Sequence, residues 1–274
     1  MSGVDLDLDV DAFRTFGFVV LPQAIDPAPL ADEVDRALAD GARAGFRSSA
    51  GGGISGRYVP MMCDRTPVSL GWLDRFAGPA AELLGRAVLP VRAKGTEYSA
   101  GTGWHRDSDR DWPSVGFAAY LQPLDAATGA LRVLPGSHRS GFGASVAGHL
   151  DRHRAVPADE EVAGLPAFPL ETAPGDVIVF DEHLFHASAG GRDRRQWRVD
   201  FTADPVGAEE TTARAYFSAV FPPRWEGAYD VDRYPSYGRH WQSRPQPWVA
   251  RLAELGVYTM AAAGESLHRP TGRP

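Results

Sequence analysis

Two rhythms divide the chain. Up to about residue 87, apolar positions recur at helical spacing. In "DPAPLADEVDRALADGARAGF", Leu30, Val34 and Leu38 stand four apart, behind Asp26 as N-cap and Pro27 in the first turn. Residues 7–22, "DLDVDAFRTFGFVVLP", predict a short helix leading into a strand, and a further helix is expected from Ser69 to Leu84. Between them, residues 42–59 are rich in glycine and serine and predict a mobile loop. From Val88 the rhythm changes. Short apolar runs alternate with glycine and proline turns: "AVLPVRAKGTEYSA", "SVGFAAYLQPL", "GALRVLPGSH", "FPLETAPGDVIVF", "WRVDFTAD". Strands at such close spacing predict a sandwich or barrel. The tail is rich in aromatics and proline and ends in an expected helix, "QPWVARLAELGVYTM". No repeat or linker splits the chain. The organisation expected is one domain over 1–274, with N-terminal helices over 1–87, a β core over about 88–220 and an aromatic, helical tail over 221–274.

Composition narrows the class. The 274 residues suffice for a substantial core, and 43% hydrophobic with 23% charged residues is ordinary for a soluble globular protein. No apolar run approaches the roughly 18 residues of a membrane span, and the acidic start "MSGVDLDLDVDAF" does not read as a secretory signal. The single cysteine, Cys63, allows no internal disulfide and excludes cysteine-based zinc sites, which fits a reducing cytoplasm. A net charge of −7 argues against nucleic acid as a partner. There are 27 arginines and one lysine, Lys94, which singles that lysine out. The sequence does not specify an oligomeric state.

The chemistry is concentrated in "GTGWHRDSDRDWP", residues 101–113. Residues two apart in a strand share a face, so His105 and Asp107 aim an imidazole and a carboxylate at one point. The distal partner is His186 in "PGDVIVFDEHLFHAS", 79 residues after Asp107, which leaves room for several strands and a return. Two histidines and one carboxylate on one face of a metal form the facial triad of non-haem Fe(II) oxygenases. His183, three residues earlier, is the competing distal ligand and is expected at the entrance instead. His138 is expected to brace a turn. His149, His153, His240 and His268 read as surface or loop residues. Arg106 should point away from the metal, with Asp109, Arg110 and Asp111 on a loop that is either simply solvated or a rim for a polar substrate.

These segments resemble the phytanoyl-CoA dioxygenase family of Fe(II)- and 2-oxoglutarate-dependent oxygenases. The resemblance covers roughly residues 10–202 and rests on "FRTFGFVVLPQAIDP", "GWHRD", "ATGALRVLPGSHR" and "PGDVIVFDEHLFHAS". It implies a mainly β fold with flanking helices, a double-stranded β-helix (jelly roll) of eight strands. It implies His105, Asp107 and His186 as iron ligands. It also implies 2-oxoglutarate and O2 as co-substrates, with ascorbate as a supporting reductant. The reaction implied is decarboxylation of 2-oxoglutarate to succinate coupled to oxidation of a C–H bond in a small molecule. Hydroxylation, desaturation, ring closure and epimerisation all remain open. Halogenating relatives replace the triad carboxylate with a small residue, so Asp107 argues against halogenation.

The resemblance also calls for an arginine after His186 that grips the far carboxylate of 2-oxoglutarate, in "ASAGGRDRRQWRVDF". Arg192 and Arg194 fall in the expected turn and read as solvated. Arg195 shares a strand face with Trp197, Val199 and Phe201. If the apolar face is the barrel interior, Arg195 is the cofactor residue. Family spacing leaves Arg198 as the alternative. Ser188, Tyr98 and Lys94 are further candidates for cofactor contact. Pocket walls are expected from residues 42–59, from 106–114, and from the tail around Trp225, Tyr229, Tyr234 and Trp241. The rival readings are a cupin-like metal-dependent isomerase and a non-catalytic jelly-roll binding module.

Overall fold

The structure, a computed structural model, describes residues 6, 8–43, 45–47, 54–152, 162, 164–220 and 229–266. Helix α1 (Val10–Phe16) starts where the Asp9 carboxylate accepts from the Ala12 amide at 2.8 Å, and stops at Gly17, whose φ of 84° is left-handed. Strand β1 (Phe18–Leu21) follows. Helix α2 (Pro27–Gly41) is capped by Asp26 as expected and buries Leu30, Val34, Ala37 and Leu38. Strands β2 (Gly45–Arg47) and β3 (Ile54–Pro60) form an antiparallel hairpin. Most described residues of the loop expected over 42–59 are thus β, while residues 44 and 48–53 lie outside the described set. Tyr58, Val59 and Pro60 are a short run of buried residues at the end of this strand, hidden in the sequence by the glycine run before them.

Helix α3 (Pro67–Leu84) lacks a cap of its own. The buried Glu33 carboxylate of α2 supplies it, accepting from the amides of Val68 and Ser69 at 3.0 and 2.8 Å. The β core then runs β4 (Val88–Tyr98), β5 (Thr102–His105), β6 (Ser114–Tyr120), β7 (Leu131–Val133), helix α4 (Ser140–Arg152), β8 (Phe168–Leu170), β9 (Val177–Asp181), β10 (His186–Ser188) and β11 (Arg194–Ala203). Helices α5 (Glu210–Val220), α6 (Arg239–Gln242), α7 (Pro247–Glu254) and α8 (Val257–Ser266) complete the order. The single helix expected at the tail is two, broken at Gly256 with φ 73°.

Two antiparallel sheets face each other. One has the order β1-β9-β6-β11-β4-β3-β2 and the other β5-β10-β7-β8. The strands β9, β6, β11 and β4 against the four of the smaller sheet make the eight-stranded jelly roll. The remaining strands, β1 and the β2–β3 hairpin, widen the larger sheet. The principal apolar core lies on the outer face of that larger sheet. There Val115, Phe117 and Ala119 of β6 and Trp197, Val199 and Phe201 of β11 pack against α2 and α3. Trp197 Nε1 donates to Ser69 Oγ at 2.7 Å, which satisfies its one polar atom in a fully buried position. Tyr234 and Trp241 also belong to this core, Tyr234 in addition lining a surface cavity with Asp40 and Arg65, Tyr229 packs edge-on against Tyr58, and Trp225 lies outside the described residues. Among the described residues no helix is long and apolar enough to cross a membrane.

Candidate metal centre

The smaller sheet assembles the site. In the β5–β10 pairing, His105 stands opposite His186, and their rings lie 4.2 Å apart, centroid to centroid. Asp107 sits two residues beyond His105 but past the end of β5, on a bend. Strand alternation therefore does not aim it. The turn between β9 and β10 does: the Glu182 carbonyl accepts from the amides of both Asp107 and Ser108, at 2.9 and 3.1 Å. One ligand atom from each of His105, Asp107 and His186 lies within 4.8 Å of the other two.

Both imidazoles are set for a metal. His105 Nδ1 contacts the Gly103 carbonyl at 2.8 Å, and His186 Nδ1 contacts the Leu184 carbonyl at 2.9 Å. A carbonyl only accepts, so each Nδ1 carries a proton and each Nε2 is the nitrogen turned toward the site. These Nε2 atoms approach Asp107, at 3.8 Å from His105 to Oδ1 and 3.4 Å from His186 to Oδ2. Burial, reinforced by neighbouring His105, pushes the His186 pKa down to about 4 and keeps it neutral. Burial alone would raise the Asp107 carboxyl. Arg198, the two histidines and Lys94 outweigh that and hold it well below the usual range. The donor set is thus two imidazoles and one carboxylate, which suits Fe(II).

His183 takes no part in the triad. Its Nδ1 contacts Asp181 Oδ1 at 2.7 Å and its Nε2 contacts the Arg110 carbonyl at 2.6 Å, so both ring nitrogens face acceptors. Burial opposes its charge, yet the Asp181 carboxylate and the Arg110 carbonyl raise its pKa to about 9. It clamps the 106–113 loop to the β9–β10 turn. On that loop Arg106 lies over the Phe185 ring and pairs with Asp109. His138 contacts the Arg14 carbonyl and braces a turn.

The arginines correct the parity expectation. Arg195 lies with Trp197 on the outer face, a third exposed, and pairs with Asp35 of α2. The apolar face of β11 is the one that the helices cover; the polar face, with Arg194, Gln196, Arg198, Asp200 and Thr202, is the barrel interior. Arg198 is there, but three carboxylates already hold it: Asp107, Glu182 and Asp200. Lys94, opposite Arg198 in the β4–β11 register, is buried on the same side, with Arg92, Arg198, Asp200 and Asp107 around it. Its pKa is held well below the usual range by burial first and then by the two arginines.

The residue that the turn assignment missed is Arg194. It is β11's first residue, only 1% exposed. Its Nη1 and Nη2 donate to the carbonyls of Gly129 and Ala100, at 3.1 and 2.7 Å, and its guanidinium lies 5.2 Å from the centre of the Tyr98 ring. Its Nε is buried with no hydrogen-bond partner among the described residues. Close by, Ser188 Oγ accepts from the Thr102 amide and contacts Thr102 Oγ1 at 3.0 Å. From one end of the β5–β10 ladder to the other, the order is the His105–His186 pair, the Thr102–Ser188 hydroxyls, then Arg194 at Ala100.

Residues 13–196 match the profile of the phytanoyl-CoA dioxygenase family. The chain belongs to that family, whose members use Fe(II), 2-oxoglutarate and O2, and it is a 2-oxoglutarate-dependent dioxygenase. Among solved structures it is similar to AviO1 from Streptomyces viridochromogenes, at 23% identity and a TM-score of 0.57 over 76% of this chain and 98% of that one. It is similar to HygX from Streptomyces hygroscopicus with nickel and 2-oxoglutarate bound, at 17% identity and a TM-score of 0.53 over 70% and 84% of the two chains. It is also similar to the epimerase SnoN in complex with Fe3+, alpha ketoglutarate and nogalamycin RO, at 18% identity and a TM-score of 0.54 over 71% and 82%. A search of curated protein sequences finds no match.

Proposed function

We propose that His105, Asp107 and His186 hold one Fe(II), and that Arg194, beside Ser188 and Thr102, receives the far carboxylate of 2-oxoglutarate. The metal assignment is carried by one observation: three suitable donor atoms converge within 4.8 Å while both Nδ1 protons are committed to carbonyls. The cofactor assignment follows from charge. Arg194 is a buried cation whose partners are neutral carbonyls, and a buried charge is costly until an anion joins it. Arg198 is already matched by carboxylates, and Arg195 faces the wrong way. Lys94 adds its positive charge at the Asp107 end rather than at the Arg194 end.

When bound, iron and 2-oxoglutarate would activate dioxygen, the oxidant, for attack on a substrate C–H bond, with release of succinate and carbon dioxide. The chain's own share is placement. Arg194 fixes one end of the co-substrate by a charge-assisted, planar grip. The Thr102 and Ser188 hydroxyls offer donors between that grip and the histidines. The buried Phe180 and Val133, beside His186, exclude water from the metal's inner side. The partly exposed His105 and the exposed Asp109, Arg110 and Asp111 of the loop that follows it suit a small polar molecule. We read the reaction as oxidative tailoring of such a molecule in natural-product biosynthesis, in line with the SnoN epimerase from nogalamycin biosynthesis among the similar structures. Retention of Asp107 favours oxidation without halogenation. The test is succinate release from 2-oxoglutarate with Fe(II), O2 and ascorbate, followed by mass spectrometry of candidate polar products. Absence of succinate from a metal-loaded, folded protein would overturn it.

A further inference from the structure

One guanidinium meets three carboxylates beside the metal centre. Arg198 Nη1 donates to Asp107 Oδ2 at 2.6 Å, Nη2 to Glu182 Oε1 at 3.0 Å, and Nε to Asp200 Oδ1. The Arg198, Glu182 and Asp200 side chains are all more than nine-tenths buried. The arrangement is braced from behind. Tyr216 of α5 donates to Glu182 Oε2 at 2.7 Å, and Arg92 Nε donates to Asp200 Oδ2 at 3.1 Å. The guanidinium lies over the Phe180 ring at 4.7 Å. Glu182 therefore holds Asp107 twice, by its carbonyl through the backbone and by its carboxylate through Arg198. Gly116 on β6 makes the room. A Cβ there would stand 2.9 Å from Arg198 Nη2 and 3.1 Å from Asp200 Oδ1.

We propose that Arg198, braced by Glu182 and Asp200, is a positioning residue that keeps Asp107 a one-oxygen metal ligand. Each carboxylate oxygen faces an imidazole, Oδ1 at 3.8 Å from His105 Nε2 and Oδ2 at 3.4 Å from His186 Nε2, but the Nη1 hydrogen bond engages Oδ2 alone and leaves Oδ1 as the uncommitted donor for the metal. If the carboxylate turned and offered both oxygens, it and the two histidines would fill four of about six positions. The two-point chelate of 2-oxoglutarate would fill the rest, and dioxygen would have none. A charged, planar group fixed on three sides prevents that turn, whereas a flexible ammonium or a water could follow it. The bracket thus protects the number of open positions rather than the strength of metal binding. This sets Arg198 apart from Arg194: one shapes the metal's ligand, the other binds the co-substrate.

The inference rests on iron binding at the triad, and the experiment separates the two. Wild type, Arg198→Met, Arg198→Lys, Glu182→Gln and Gly116→Ala are loaded with Fe(II) and 2-oxoglutarate without oxygen. Iron-edge X-ray absorption then reads the ligand shell, and titration reads metal and 2-oxoglutarate affinity. If wild type binds no iron, the proposed function fails. If it does, Arg198→Met should gain a carboxylate oxygen at the metal and hold or raise Fe(II) affinity. Its 2-oxoglutarate affinity should change by less than about tenfold, while kcat falls roughly 10–100-fold. Arg198→Lys should recover part of kcat. Glu182→Gln and Gly116→Ala loosen the bracket without removing the guanidinium and should move the shell and kcat the same way by less, so they decide the matter if Arg198→Met does not fold. An unchanged ligand shell in the folded variants would overturn the proposal. So would a hundredfold loss of 2-oxoglutarate affinity with kcat intact, which would make Arg198 a cofactor-binding residue.

Discussion

The two faces of β11 are built from alternate residues of one ten-residue strand, yet they obey opposite rules. Outward, Trp197, Val199 and Phe201 sit in an apolar core under α2 and α3, and the one charge, Arg195, escapes to the strand's end and pairs with Asp35. Inward, Arg194, Gln196, Arg198, Asp200 and Thr202 are all buried and all polar. The usual equation of apolar with interior holds for the outer face, because the helices rather than the barrel make the hydrophobic core. The barrel interior holds charges that match one another and, in Arg194, one that donates to neutral carbonyls. A buried polar residue is thus the more informative sign of a site than a buried apolar one.

Breaking the triad should have the largest effect. His105→Ala, Asp107→Ala or His186→Ala should each abolish turnover and weaken metal binding without unfolding the chain. His183→Ala should retain metal affinity by titration, and loss of metal there with retention in His186→Ala would reverse the assignment. The outer face answers in stability instead. Trp197→Ala removes a fully buried ring and leaves Ser69 Oγ without its donor, and should cost about 3–5 kcal/mol in denaturant unfolding. On the inner face, Arg194→Ala should raise the 2-oxoglutarate KM by roughly two orders of magnitude, the equivalent of about 2–3 kcal/mol for a charge-assisted pair. An equal effect from Arg195→Ala would erase the distinction between the faces.

Smaller effects sharpen the comparison. His183, with a folded-state pKa of about 9, binds its proton more tightly folded than unfolded. Its contribution is complete below the unfolded value of about 6.5 and is lost as pH rises through about 9. Thermal melting should therefore fall between those pH values in wild type and be flatter in His183→Gln. The smallest change is expected from Arg195→Ala. Its pair with Asp35 is exposed at the surface, so stability should change by no more than about 1 kcal/mol and lose even that at high salt.

How much could be read in advance follows from the same contrast. The convergence of His105, Asp107 and His186 was legible because a metal site demands particular side chains at particular spacings, whatever surrounds them. A sandwich or barrel was legible because its strands carry turn residues at close intervals; the jelly roll in particular came from the family resemblance. Arg194 was not, because glycines 190 and 191 extend the turn in sequence while the strand has already begun in space. Glu182 was hidden for another reason. A carboxylate on a turn ordinarily reads as solvated, and only the return of β11 with Arg198 and the arrival of Tyr216 from α5 make it a buried brace. The α3 cap from Glu33 is of the same kind, a local need met from 35 residues away. Parity itself worked on β11: it separated the two faces correctly and failed only in deciding which one looks inward.

The burial of Lys94 has a practical consequence. It is the sole lysine of the chain, and its ammonium faces the barrel interior at 2% exposure. A reagent selective for lysine side chains cannot decorate the surface of the native protein. It has one target, and that target becomes reachable when the sheets part. The rate of acylation at Lys94, followed by peptide mass spectrometry, is therefore a clock for opening of the barrel, as amide exchange is for a backbone segment. Ligands that knit the two sheets together should slow that clock, and they need not be turned over to do so.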